Sequence, residues 1–193
     1  MVFVSGMYVR NNPYLCGVFT KTRSRRPHTG HGDGTGLPLP ATLDTEMEIR
    51  QIHGQKKQYL DLLLLGDEQE EMIDRYLERG DMFALHDDGV KAACVVTHEG
   101  DGIYELKNIA TLPAFQRRGY GRCLIEFLFD RYRALGKAML VGTGEVPSTM
   151  NFYRACGFRP SHRVERFFTD NYDHPIYEDG IRLEDMVYMR REF

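Results

Sequence analysis

Residues 106–121 read LKNIATLPAFQRRGYG. A strand pattern that begins at Ile103 runs to Thr111. Past Pro113 a helix is expected from about Arg118 to Leu135, with Leu124, Leu128, Tyr132 and Leu135 as its core-facing stripe and Gly136 as a left-handed stop. Between strand and helix lies Gln116-Arg117-Arg118-Gly119-Tyr120-Gly121. Glycines at 119 and 121 let the backbone turn sharply and approach a ligand closely. The amides of a helix start have no internal acceptors and sit at the positive end of the helix dipole. With Arg117 and Arg118 beside them, they suit an anionic pyrophosphate. A bare helix start with two solvated arginines is the other reading of so short a motif. No Gly-Lys-Ser/Thr follows, which excludes a P-loop, and two glycines without a ribose-binding acid do not make a dinucleotide fingerprint.

Outward from this stretch the elements alternate. Toward the N-terminus, strands are expected at Glu48–Ile52, Met82–His86 and Val90–His98, the last two joined by the tight turn Asp87-Asp88-Gly89. Gln55–Leu65 and Asp67–Arg79 have helical spacing, the second with Asp67 as N-cap and Glu70 as its reciprocal partner. Toward the C-terminus, a short strand at Ala138–Val141 precedes a helix over Ser148–Cys156 closed by Gly157. Two more strands are expected near Arg163–Thr169 and Glu184–Arg190. Hairpins first and strand–helix–strand units later make a mixed α/β sheet.

A chain of 193 residues, 42% hydrophobic and 27% charged, has material for one ordinary domain with a core. Residues 21–40, KTRSRRPHTGHGDGTGLPLP, hold almost no core-forming side chains. Residues 1–45 are therefore expected to be a disordered or appended segment, or an Arg-rich transit peptide, and 46–193 the domain proper. The longest apolar run, Ala92–Val96, falls far short of the roughly 20 residues that span a bilayer, so no membrane and a cytoplasmic setting are expected. A net charge of −3 argues against nucleic acid. Residues 1–45 carry five Lys/Arg against two Asp, and 46–193 carry 20 Lys/Arg against 26 Asp/Glu, so the domain is acidic and suits a cationic partner. The four cysteines contain no CxxC pair and the histidines no ligand spacing, so no metal is expected; Cys94 and Cys123 read as buried thiols.

Two motifs make the chain recognisable. LKNIATLPAFQRRGYG resembles motif A of the GNAT acetyltransferase superfamily, in which a strand and a Pro precede Q/R-x-x-G-x-G/A at a helix start. Asn151-Phe152-Tyr153-Arg154-Ala155-Cys156-Gly157-Phe158, about 30 residues on, resembles its motif B. Thr111 stands where Val is common. The resemblance covers residues 47–193 and implies a twisted, mostly antiparallel sheet of about six to seven strands flanked by helices, splayed after the fourth strand. It implies acetyl-coenzyme A as cosubstrate and a primary amine of a small molecule or peptide as acceptor; a homodimer is compatible with it. Pantetheine would lie along Ile109, Ala110 and Thr111, where a backbone N–H could also stabilise an oxyanion. The pyrophosphate would be held by Gln116, Arg117, Arg118, Gly119, Tyr120, Gly121 and Arg122.

Tyr153 stands where the family places the acid that protonates the departing thiolate; a core tyrosine with its hydroxyl at a rim is the other reading. Glu105, at an offset similar to that of a catalytic Glu in the histone acetyltransferase branch, is the candidate base, with an ion pair to Lys107 as the alternative. A transferase using another acyl-coenzyme A and a non-catalytic acyl-coenzyme A sensor remain open on the same fold.

Overall fold

The computed structural model describes residues 47–193; the expectation of a disordered or appended segment over 1–45 lies outside them. Nine strands and five α-helices follow one another as β1 (Glu48–Ile52), α1 (Leu60–Leu63), α2 (Glu70–Leu77), β2 (Asp81–His86), β3 (Val90–His98), β4 (Ile103–Thr111), α3 (Tyr120–Tyr132), β5 (Ala138–Gly144), α4 (Pro147–Ala155), β6 (Arg159–Val164), α5 (Phe167–Asn171), β7 (Tyr177–Glu178), β8 (Ile181–Arg182) and β9 (Met186–Glu192). Seven of the strands form one sheet in the order β1-β2-β3-β4-β5-β9-β6, and β7 and β8 make a separate hairpin. Every neighbouring pair is antiparallel except β4 and β5.

The β4–β5 pair decides the architecture. It is in register only from Ile103 opposite Ala138 to Leu106 opposite Val141. Beyond that point β4 stays with β3 as far as Thr111, while β5 stays with β9 as far as Gly144, so the sheet opens into two halves. An irregularity in the β3–β4 ladder, where Val95 faces Asn108 but Val96 faces Leu106, leaves Lys107 as the extra residue at the parting point.

Each face of the sheet has its own core. Phe83, Leu85, Cys94, Leu106 and Met139 pack against Leu124, Ile125 and Leu128 of α3. Met82, Ala84, Val95 and Ala110 pack against Leu63 of α1 and Ile73 and Leu77 of α2. A smaller cluster of Val146, Phe168, Ile176 and Leu183 lies under the C-terminal loops. Cys94 and Cys123 are buried free thiols, as their apolar surroundings in sequence imply.

Several local expectations shift for identifiable reasons. Leu124, Leu128 and Tyr132 are buried, but α3 ends at Tyr132 and the following turn carries Leu135 out to 65% exposure. Gly136 is not left-handed; a Cβ there would sit 2.7 Å from the Tyr104 ring, so close packing explains the glycine. Instead of one strand over 163–169, β6 occupies 159–164 and α5 follows. Strand β6 is a sheet edge with all six residues exposed, so it has no apolar alternation to read. The N-cap of α2 is Gln69, not Asp67.

The far end of α2 is closed by a side chain from outside the helix. Buried Lys56 donates from Nζ to the carbonyls of Leu77 (2.8 Å), Glu78 (3.0 Å) and Gly80 (2.7 Å). A cation at a helix C-terminus also meets the negative end of its dipole. Lys56→Met, which keeps the stem and removes the charged donor, is expected to cost about 2–3 kcal/mol in chemical denaturation.

Candidate active site

The turn before α3 is built as a cradle of outward-facing amides. Arg117 (φ 61°) and Gly119 (φ 93°) are both left-handed. A Cβ on Gly119 would meet nothing within 4 Å, so its requirement is conformational and its outer side is open. The first helical bond is Cys123 N–H to the Gly119 carbonyl (2.9 Å), and the N–H groups ahead of it have no place in the ladder. Gln116 Nε2 donates to the Thr111 carbonyl (3.2 Å), fixing the turn to the end of β4. The Tyr120 hydroxyl donates to Asp87 (2.5 Å) on the β2–β3 turn. Arg117, Arg118 and Arg122 are exposed and, among the described residues, none is in an ion pair.

The exposed edge of β4 follows from ladder alternation. Leu112 N–H donates to the Lys91 carbonyl, so two residues back Ala110 also turns its main-chain groups to β3. Ile109 and Thr111 turn theirs the other way, into the gap left by β5. Of the three β4 residues expected at the cofactor, these two direct main-chain groups away from β3, the Thr111 carbonyl being taken by Gln116, and Ala110 supplies a buried methyl.

That gap widens into a cleft with about 100 Å³ of room, bordered by Asp67, Lys107, Gly142, Tyr153, Tyr172 and Glu178 among others. Tyr153, on α4, is 4% exposed and wedged between Phe152 and Phe158, with ring centroids at 5.1 and 5.8 Å. Burial first, then the nearby Glu178 and Cys156, hold its hydroxyl protonated well above the usual tyrosine range. Glu105 is placed differently. It is buried, paired with Lys107 Nζ at 2.7 Å, and accepts a hydrogen bond from the Tyr188 hydroxyl at 3.2 Å. It is not among the residues that border the cleft.

Three other carboxyl groups do border it: Asp67, Glu68 and Glu178. Glu178, brought in by the β7–β8 hairpin, accepts a hydrogen bond from Thr149, one turn before Tyr153 on α4. Burial pushes its carboxyl up to about 7. Asp67, in the loop before α2, accepts from the hydroxyls of Tyr172 (3.1 Å) and Tyr76 (3.4 Å), and burial pushes it up to about 6. From sequence Asp67 passes for a helix cap and Glu178 for part of a charged loop. Their partners lie 105 and 29 residues away, and no local pattern announces them.

A sheet parted after its fourth strand, with a glycine turn and helix start following that strand and a buried tyrosine at the gap, is the architecture of an acyl-coenzyme A acyltransferase. A family model for the GNAT acetyltransferase domain matches residues 78–160. The Bacillus subtilis (strain 168) protein called uncharacterized N-acetyltransferase YvbK is 34% identical over 130 residues, 66% of this chain and 84% of that one. A GNAT family acetyltransferase from Elizabethkingia anophelis, solved with acetyl-CoA bound, superposes with a TM-score of 0.73 at 30% identity, covering 76% of this chain and 98% of that one. A Bacillus subtilis acetyltransferase in complex with CoA gives 0.71 at 28% identity, covering 77% and 99%. The chain belongs to the GNAT acetyltransferase family. Among the described residues, no helix is long and apolar enough to cross a membrane.

Glu178 yields a stability prediction. A carboxyl whose folded-state pKa is raised binds its proton more tightly when folded. Its cost is therefore absent below about 4.5 and complete above about 7, and stability falls as pH rises through that window. Glu178→Gln keeps the acceptor for Thr149 and removes the buried charge. Its melting temperature should exceed the parent's by several degrees at about pH 8 and match it at about pH 4.

Proposed function

We propose that this protein transfers the acetyl group of acetyl-coenzyme A to a primary amine of a small molecule or peptide, by direct attack of the amine on the thioester. The observation that carries this reading is the parting of β4 from β5 at Leu106 and Val141, which leaves an unpaired strand edge and Tyr153 at one gap, with the start of α3 following the end of β4. The solved relatives with acetyl-CoA and CoA bound support it.

Residues of the cradle fit a pyrophosphate, because outward amides at the positive end of α3 stand beside Arg117, Arg118 and Arg122. The outward main-chain groups of Ile109 and the outward N–H of Thr111 fit the amides of pantetheine as an added strand would. Bound acetyl-coenzyme A supplies an electrophilic carbonyl whose C–S bond breaks as the amine N–C bond forms. Tyr153, kept protonated by burial, gives its proton to the departing sulfur. The cleft's carboxyl groups, Asp67, Glu68 and Glu178, against one Lys107, favour an acceptor that arrives as a cation.

The test is thiol release from acetyl-coenzyme A with a panel of amines. Release with at least one amine supports the reading; saturable acetyl-coenzyme A binding with no release from any amine supports a sensor instead. Tyr153→Phe is expected to lower kcat by roughly 100-fold or more with little change in acetyl-coenzyme A affinity. An unchanged kcat would remove Tyr153 from the acid role.

A further inference from the structure

An amine that arrives as a cation has to lose a proton before it can attack, and few groups in the cleft are free to take one. Glu105 is committed to Lys107 and stands outside the cleft. Glu68 borders it but lies 3.2 Å from His174 Nε2, an imidazole whose pKa Asp173 and Glu68 raise above its usual value. Glu178 accepts the Thr149 hydroxyl and is an electrostatic neighbour of Tyr153, on the side where the sulfur leaves.

Asp67 is unlike these. Its partners are neutral donors: the Tyr172 hydroxyl, the Tyr76 hydroxyl and the Gln69 N–H at 3.4 Å. No cation is paired with it among the described residues. Glu68 acts on it electrostatically from the same loop, Arg75 acts on Tyr172 from α2, and Lys107, which borders the same cleft, is paired with Glu105. Its support reaches β4 itself. Asn108 Nδ2 donates to the Tyr76 hydroxyl and to the Leu63 carbonyl, both at 3.0 Å, and Asn108 is two residues past the last β4–β5 pair. The carboxylate is thus tied to the strand where the gap opens.

We propose that Asp67 is the catalytic base of this site, taking the proton of the acceptor amine. The assignment rests on the acetyl-transfer reading above. One proton of the ammonium passes to an Asp67 carboxylate oxygen, and the lone pair it frees forms the N–C bond; the C–S bond breaks, and the sulfur takes the proton of Tyr153. The nitrogen's second proton returns to the Tyr153 oxygen and Asp67 releases its own to solvent, leaving amide and free thiol. Burial, which raises the carboxyl to about 6, gives a base matched to near-neutral pH.

The experiment follows thiol release from acetyl-coenzyme A across pH for the parent protein, Asp67→Asn, Tyr172→Phe and Glu105→Gln, with benzylamine, cadaverine and a tripeptide with a free N-terminus as acceptors. Acetyl-coenzyme A binding is followed by thermal shift. In the parent, kcat should fall on the acid side with an apparent pKa of about 6. Asp67→Asn should lose roughly 100-fold in kcat, lose that acid limb, and bind acetyl-coenzyme A within about two-fold of the parent. Tyr172→Phe removes a donor that stabilises the charged carboxylate, so the limb should move to higher pH. A purely structural role for Asp67 would leave the limb where it is; should Asp67→Asn not fold, the Tyr172→Phe shift decides. A limb that persists in Asp67→Asn, fails to move in Tyr172→Phe, or disappears in Glu105→Gln instead, overturns Asp67 and leaves the transfer reading intact. Absence of thiol release from the parent with every acceptor overturns the transfer reading, and the base with it.

Discussion

A parallel strand pair that stops after four residues leaves polar backbone on both sides of a gap, and the rest of the domain is arranged around that fact. From Lys107 onward β4 holds only β3, and from Gly142 onward β5 holds only β9. Unpaired buried amides and carbonyls cost about 1–3 kcal/mol each, so the opening persists only because both halves are anchored elsewhere. On one side α1 and α2 pack Leu63, Ile73 and Leu77 onto Met82, Ala84 and Val95. On the other, β5 is drawn against the C-terminal segment. A Cβ on Gly142 would lie 2.5 Å from Met186 Sδ, and one on Gly144 2.5 Å from Leu183 Cδ2. Small residues on β5 let it follow β9 rather than rejoin β4.

The cleft concentrates the domain's electrostatic strain. Asp67 and Glu178 are both pushed upward by burial, and neither has a cationic partner among the described residues to offset the cost. Elsewhere the carboxylates behave conventionally. Asp185 is held below its usual range by the Arg166 N–H and Arg163, and Glu99 is likewise lowered despite burial, through Thr97, Arg79 and Lys107. The difference locates the unusual groups where the proposed reaction needs protons moved near neutral pH. A core built only for stability would have paired them.

Much of this organisation was legible in the chain, and the reason is locality. Strands β1 and β4 fall on the residues their patterns mark, because alternation and turn residues are short-range signals. The sharp turn into α3 could be read from Gln116 to Gly121 because glycine spacing and a helix start act within six residues. What failed depended on distant partners. Strand β6 is exposed on both faces and carries no periodicity. Asp67 sits close enough to α2 to pass for its cap, yet its carboxylate is aimed at Tyr172, 105 residues away. For Glu105 the sequence offered both a base and a partner of Lys107; the geometry places the ion pair, and the carboxylates that face the gap come from the loop before α2 and the hairpin near the C-terminus.

The charge layout gives the two reactants of the proposed reaction different entrances. The start of α3 combines a positive helix end with three arginines that pair with no carboxylate among the described residues, a setting suited to a nucleotide's phosphates. The cleft's acidic groups come from the α1–α2 loop and the β7–β8 hairpin, and the segment between α5 and β7 holds the first of these through Tyr172 on Asp67 and His174 on Glu68. An anion is drawn to the first region and repelled by the second; a protonated amine experiences the reverse. With an effective dielectric near 20, charges a few ångströms apart still interact by roughly 4 kcal/mol, enough to orient both reactants before shape is tested. The parting of β4 and β5 lies between the two regions, and there the thioester and the amine would meet.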